Sequence, residues 1–342
     1  MSKTKIIFIF SIVIIVIGSI LTTLGFINGG VKSITLSNNG FEIYNQEKLV
    51  QVNDDLSIFD SIEISSNIID INIIPGDKFR IEMVYPKSYG EIQYSVQDNK
   101  LIIEEKKHTS KINISFGFIN TINSYINIYV PSDAKFDVIN LKSSSSDLNI
   151  KSIKANEIKI NYDYGDVTLN NIEANSIKFD MNSSDLNINN LISQNSITID
   201  NLYGDVDIFN STINTITTNQ NSGSLEIKTS KIETSDINNK YGDVEINDIT
   251  SNGINITNES GDIDISGELS GNTIIDTQYG EVDIKTTLKE DGYSYSAYSK
   301  YGDVSINNNS YENNISTNNS DHNINNINAT SQSGDIDIKF NN

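Results

Sequence analysis

Carboxylates recur through the second half of this chain at a spacing that would gather them into a stripe. The tags Tyr164-Gly165-Asp166-Val167, Ser184-Asp185-Leu186, Tyr203-Gly204-Asp205-Val206, Tyr241-Gly242-Asp243-Val244, Gly261-Asp262-Ile263, Tyr279-Gly280-Glu281-Val282 and Tyr301-Gly302-Asp303-Val304 set an acid before an apolar residue, mostly 19 residues apart. If the apolar residues of each tag point inward, the acid and the residue two further on point outward. From the fourth unit the two columns read Asp205 and Asp207, Glu226, Asp243 and Glu245, Asp262 and Asp264, Glu281 and Asp283, nine carboxylates over five units. Like charges opposed across neighbouring strands destabilise a sheet, and at ~5 Å in water each pair costs about 0.8 kcal/mol. Two kinds of chemistry would offset this. The first acid of each unit can accept a hydrogen bond from a corner backbone N–H while the second column is solvated. Alternatively the stripe holds Ca²⁺ weakly, or a cationic partner, because hard cations want clustered oxygen ligands. No EF-hand loop or Gly-rich nonapeptide repeat is present to make a tight calcium site.

Aromatic residues follow the same beat. Tyr164, Tyr203, Tyr241 and Tyr279 recur every 38 or 39 residues, with Ser184, Ser222 and Ser260 near the equivalent place between them. Two units span roughly 9.6 Å, too far for ring-on-ring stacking. Each ring either covers the smaller Ser corner beside it or serves as one of a row of platforms for a linear glycan. Catalysis finds little support. The only histidines, His108 and His322, lie in unrelated contexts, there is no Cys, and no Ser/His/Asp constellation or phosphate-cradling loop can be assembled. A polysaccharide-cleaving β-helix needs a basic residue in a carboxylate-lined groove. The single arginine, Arg80, precedes the repeats, leaving surface lysines such as Lys228 and Lys285. The chain reads as a binding or scaffolding protein, not an enzyme.

The elements that must position these residues follow from the period. Taking the position before the first apolar residue as an anchor gives Asp147, Asp166, Asp185, Asp205, Ser224, Asp243, Asp262, Glu281, Asp303, Asp321 and Asp335, eleven units stacked in chain order. Short apolar pairs at period two follow each anchor (Val167 and Leu169, Val206 and Ile208) and precede the next (Ile177 and Phe179, Ile197 and Ile199), with Asn, Asp, Ser and Gly between them. This pattern predicts an all-β fold, a parallel β-helix or β-solenoid of about 19 residues per rung, right-handed by the usual crossover rule. A flat antiparallel sheet of hairpins is the alternative. At about 4.8 Å per rung, eleven rungs would stack to roughly 50 Å. Ahead of the repeats, Ser61-Ile62-Glu63-Ile64-Ser65, Ile69-Asp70-Ile71-Asn72-Ile73, the hairpin of Ile92 to Val96 with Leu101 to Glu104, and Tyr125 to Pro131 are strand signals. They predict β-structure capping the first rung, since a bare solenoid end exposes core and unpaired strand edge.

The N-terminus carries a different signal. Ile6 to Ile27 is a 22-residue stretch without a charge, long enough to span a bilayer as a helix. Lys3 and Lys5 precede it, which by the positive-inside rule leaves the N-terminus cytoplasmic and the rest outside. A cleaved signal peptide is the rival, although no small-x-small site follows. The sequence is therefore divided into 1–30, a cytoplasmic tip and transmembrane helix; 31–56, a stalk; 57–140, a β-rich leading and capping region; and 141–342, the repeat solenoid. A net charge of −21 and one arginine exclude a nucleic-acid partner, whose phosphates demand basic residues. The partners that remain are the membrane through the helix, and cell-wall glycan, a cationic peptide or a membrane protein through the repeats.

The order of these parts resembles the putative-adhesin, β-strand-repeat proteins of Gram-positive bacteria. The likeness rests on the membrane segment, on Ile62-Glu63-Ile64-Ser65-Ser66, Asp70-Ile71-Asn72-Ile73, Lys100-Leu101-Ile102-Ile103 and Ile126-Asn127-Ile128-Tyr129-Val130-Pro131, and on the Gly-Asp-Val/Ile repeats that follow. It implies an adhesin-like β-solenoid at the cell envelope, in a family some of whose members are associated with envelope stress or antimicrobial peptides. It implies no catalytic residue and no cofactor.

Overall fold

The computed structural model describes residues 3–27, 33–37, 40–43, 48–106, 114–117, 123–317 and 325–341. His108, His322 and the expected anchor Asp321 lie outside the described residues. Two compact units result. The first comprises Met1–Val50, Tyr85–Glu91 and Lys106–Asn123, and the second Gln51–Val84, Ile92–Glu105 and Ser124–Asn342.

In the first unit the apolar stretch is one helix, Lys3–Ile27, whose Phe8–Gly25 window has a mean hydropathy of 2.5, enough to cross a membrane. A membrane anchor and a signal sequence share that property. The hydroxyls of Ser19, Thr22 and Thr23 donate to the carbonyls of Ile15, Gly18 and Ser19, each at 2.8 Å. The three polar side chains are thus satisfied within the helix, as an apolar solvent requires. Beyond the helix, Ser33–Ser37 pairs antiparallel with Gly40–Ile43 on one side and with the sequence-distant Ile114–Gly117 on the other.

The second unit is all-β and solenoid-like. Leu148–Tyr164, Val167–Ser183 and Leu186–Tyr203 are long extended runs lying side by side in parallel register. Leu148 pairs with Val167, and Val167 with Leu186, an offset of 19 residues. The pairings that continue this series through Ile263–Tyr279 are also parallel, so the repeats stack as coils and not as hairpins. Period-two alternation drives it: Val167, Leu169, Ile177 and Phe179 are buried, as are their counterparts on every following coil. Where the anchors Asp185 and Asp205 stand 20 apart, the extra residue is taken up by a register shift between Ser193 and Ser196.

Each coil turns at three corners. The first is the Gly-Asp tag. Gly242 sits at φ 137°, and a Cβ there would lie 2.2 Å from the carbonyl oxygen of Gly223 one coil away, so only glycine fits. The second corner uses a left-handed residue, Asn171, Asn190 and Asn210 among them at φ 52–58°, where Asn is the best-tolerated non-glycine. The third, around Ser193 to Ser196, absorbs irregularities.

At both ends the structure departs from stacking in chain order. Ser61–Ser66 lies between Lys100–Glu105 and Lys135–Ser143, with Ile62 paired in parallel to Leu101 and to Ile139. Asp70–Gly76 lies between Tyr125–Pro131 and Leu148–Tyr164, with Ile71 paired to Ile126 and to Leu148. The leading strands are therefore a coil in their own right, inserted between two later ones. At the far end Asn325–Ser333 and Ile336–Asn341 insert in the same way. Ala329 pairs with Ile275 and Ala297, and Ile336 with Val282 and Val304. The anchors run Glu281, Asp335, Asp303 in space. Antiparallel strands then cover the outer edges: Arg80–Pro86 on Tyr125–Pro131 and Ile92–Gln97 on Lys100–Glu105, with Asn314–Thr317 on Tyr293–Ser299 and Asn309–Tyr311 on Val304–Ile306 at the other end. The Ile92–Gln97 hairpin turns through Asp98 and Asn99 at positive φ, the two-residue turn that strand twist favours. Aromatic contacts close each end of the core, Phe59 with Phe79 at 4.6 Å and Tyr293 with Phe340 at 5.1 Å.

Candidate ligand-binding surface

The corner that carries the Gly-Asp tag brings three ladders together. On the outside, Tyr164 pairs with Ser183, Ser183 with Tyr203, Tyr203 with Ser222, Ser222 with Tyr241, Tyr241 with Ser260 and Ser260 with Tyr279. The four tyrosines expected from the sequence are thus brought into one row. Their exposures are 55, 52, 54 and 55 %, so each is about half covered. The intervening serine of the first interval is Ser183 and not Ser184. Ser184 occupies the glycine slot of its corner, where the Cβ of Gly204 would meet its carbonyl, and its own side chain is buried. Ser183, Ser222 and Ser260, each with a tyrosine on both sides, are half-buried, which fits partial cover by the rings.

The anchor column runs beside this row, and its carboxylates bind backbone. Asp185 accepts from the N–H of Asp205 at 2.9 Å, Asp205 from Ser224 at 2.8 Å, Asp243 from Asp262 at 2.9 Å and Asp262 from Glu281 at 2.9 Å. Asp70, which the sequence pattern did not single out as an anchor, makes the same bond to Asp147, as does Asp335 to Asp303. Each Asp therefore ties one coil to the next with a charge-assisted hydrogen bond.

The second column is a file of carboxylates. Asp207, Glu226, Glu245, Asp264 and Asp283 pair in direct succession, and the inserted coil adds Asp337 beside Asp283. Desolvation first, and then the neighbouring carboxylates, hold the carboxyls of Asp207, Asp264 and Asp283 above their ordinary range. Lys228 relieves the middle of the file by pairing with Glu226 and, at 3.0 Å, with Glu245. Lys339 pairs with Asp337. Among the described residues no three or more His, Asp or Glu side chains are grouped to hold a metal ion. The nine expected acids are therefore two files, one whose Asp205, Asp243 and Asp262 are tied to backbone and one partly neutralised by lysine.

The third ladder faces inward. Asn201, Gln220, Asn239 and Asn258 are buried on four successive coils. The side-chain amide of Asn239 donates to the carbonyls of Gly223 at 3.3 Å and Gly242 at 3.0 Å, and that of Asn258 to Gly242 and Gly261. Their amide oxygens have no hydrogen-bond partner. The sequence carried a signal for this ladder, an amide three residues before each of Gly204, Gly223, Gly242 and Gly261.

Family comparison agrees with this architecture. The model of the Toastrack DUF4097 family matches residues 59–217 and 192–339. The chain belongs to the Toastrack DUF4097 family. That match carries no restriction to Gram-positive bacteria. Solved structures similar to this Toastrack chain include a putative lipid binding protein from Parabacteroides distasonis, at 14 % identity and TM-score 0.43, covering 86 % of this chain and 97 % of the other. A putative adhesin from the same species has 12 % identity and TM-score 0.41, covering 85 % and 98 %. A putative adhesin from Bacteroides fragilis has 16 % identity and TM-score 0.35, covering 86 % and 97 %. No curated protein matches the chain.

Proposed function

We propose that this Toastrack chain is a single-pass membrane protein, its N-terminus cytoplasmic and its repeats outside the cell, that acts as an adhesin-like binding surface at the envelope. It works as a surface and not as a catalyst. In this reading the repeats form a right-handed parallel β-helix of about 19 residues per rung, and many equal, weak sites along it gain strength because each contact after the first is intramolecular. The observation that carries the reading is the row Tyr164, Tyr203, Tyr241 and Tyr279, one half-exposed ring at the same register position on every second coil. Cell-wall glycan is the ligand such a row suits. The test is binding of the full-length protein, in detergent, to isolated cell wall at low and high salt, beside a variant with those four tyrosines changed to Ser. Salt-resistant binding that is lost in a folded variant supports the proposal. No wall binding at either salt overturns it.

A second reading, an accessory that engages cationic peptides or a membrane sensor, has the unbroken file from Asp207 to Asp337 in its favour. Binding of that kind collapses as salt rises and survives the tyrosine substitutions.

A further inference from the structure

The inserted coil at the far end has an effect on the tyrosine row that chain order conceals. Along the sequence Tyr279 is followed by Tyr301, which would break the alternation of Tyr and Ser. In space Ser333 pairs with Tyr279. Ser299 pairs with Ser331, and that register carried two residues on sets Tyr301 beside Ser333. The corner confirms it, since a Cβ on Gly302 would meet the carbonyl of Gly334, as one on Gly334 would meet that of Gly280. The row thus reads Tyr164, Ser183, Tyr203, Ser222, Tyr241, Ser260, Tyr279, Ser333, Tyr301, with the alternation kept across a break in chain order.

The backbone does not ask for this. Rings on adjacent coils would stand ~4.8 Å apart, within the range where aromatic pairs attract. Alternation forfeits that contact and leaves rings about 9.6 Å apart, with a small hydroxyl between them. The same inserted coil builds a shallow depression of about 450 Å³ beside the end of the row, lined by Asp276, Gln278, Tyr298, Lys300, Thr330 and Gln332. Amide, carboxylate, ammonium and hydroxyl groups there meet hydroxyls as both donors and acceptors.

Charge selects among ligands. The acidic files flanking the row repel anionic polymers. A cationic polymer would meet Lys300 in the depression, and the ammonium of Lys300 already stands 4.7 Å over the ring of Tyr301. An uncharged, hydroxyl-rich ligand is opposed by neither. Two coils also match the length of a disaccharide in an extended β-linked chain, which presents the same face on every second sugar. Resting on the envelope-surface reading above, we infer that the Tyr–Ser row and the depression at its end hold one uncharged, extended polysaccharide strand, a disaccharide to each pair of coils.

The row from Tyr164 to Tyr301 covers eight intervals, ~38 Å, so about eight sugars fill it. The experiment is calorimetric titration of the full-length protein in detergent with β-1,4-linked glucose and N-acetylglucosamine oligomers of two to ten sugars, at low and high salt. Affinity for one of the two series should rise with each added disaccharide, level off at about eight sugars and hardly change with salt. Tyr279→Ser should cost about tenfold on the longest oligomer. Ser260→Tyr, which adds a ring where rings attract and so keeps the fold, should weaken binding by closing a gap. Stronger binding by Ser260→Tyr overturns the inference, because ring area and not spacing would then matter. Wall binding without binding of either oligomer series overturns it too, while leaving the envelope-surface reading standing. Loss of wall binding as well removes both. Capture of polylysine that disappears at high salt would replace the glycan with a cationic peptide.

Discussion

The Gly-Asp corner is lined on its two sides by ladders that obey different periods. Inside, an amide occurs on every coil from Asn201 to Asn258, and each faces the same need, the carbonyls of a tight glycine turn. Outside, Tyr and Ser alternate, and the alternation survives the insertion of Asn325–Ser333. A backbone that repeats every coil imposes a one-coil period, whereas a two-coil one must come from side chains, by packing of each ring over its serine neighbours or by a ligand. The inner ladder therefore answers to folding, and in the proposed reading the outer one answers to a ligand that lies along the surface.

The sharpest way to break this comparison is at the corner that both ladders share. Gly242→Ala puts a Cβ 2.2 Å from the Gly223 carbonyl oxygen at a φ of 137°. It should destabilise the protein by on the order of 3 kcal/mol in urea denaturation. Gly253→Ala is the control, because the nearest atom to its Cβ is 3.6 Å away at ordinary backbone angles. Equal effects of the two would mean that the corner is not held as tightly as its geometry requires.

Next in size is the inner ladder. Asn239→Ala removes the side-chain donor to the Gly223 carbonyl and one of the two to that of Gly242, which keeps Asn258, at a cost of about 2 kcal/mol. Wall binding by the folded variant should match that of the wild type. A stable variant that no longer binds would reverse the roles given to the two ladders.

The regular coils were legible in the sequence because their determinants are local. Val167 and Leu169 report which way a strand faces, and Gly242 with Asp243 reports where it turns. The order of coils at the ends was not legible. The pattern around Ile71 or Ile336 fits beside any coil, so the neighbour is decided by chain connections and by the antiparallel covers, which lie far away in sequence. Ser183, and not Ser184, stands between the tyrosines for a related reason. The tag of Ser184 lacks glycine, and only the contact to Gly204 shows that the serine has taken the glycine position. The alignment of the four tyrosines was legible from their spacing, whereas Tyr301 and Asp337 join their columns only through the inserted coil.

A smaller effect sharpens the outer side. Tyr241 is 54 % exposed, so Tyr241→Ser should change stability by no more than about 1 kcal/mol, measured by the same denaturation. A loss as large as that of Asn239→Ala would make the row a packing device and return it to the folding side of the comparison.

The least costly change should be Lys228→Ala, and its pH dependence is the informative part. Lys228 is paired to Glu226 and Glu245 at the protein surface, where solvent and salt weaken such pairs. The hydrogen bond from Lys228 holds the Glu245 carboxyl below its ordinary range. A depressed carboxyl stabilises the fold above its unfolded value, and that contribution fades as pH falls through the folded value. Asp207, Asp264 and Asp283 have the opposite sign. Raised by desolvation and by neighbouring carboxylates, they weaken the fold at neutral pH and are relieved as pH falls through their folded values toward the ordinary Asp range near 4. Removing Lys228 deletes the first effect and exposes the second. The unfolding midpoint of Lys228→Ala should lie slightly below that of the wild type at pH 7 and low salt. The gap should close in high salt and, on acidification, only as pH falls below the ordinary Glu range through the folded value of Glu245. A deficit that persisted in acid would mean that Lys228 supports the coil through its aliphatic stem, and that repulsion along the outer file is already screened by water.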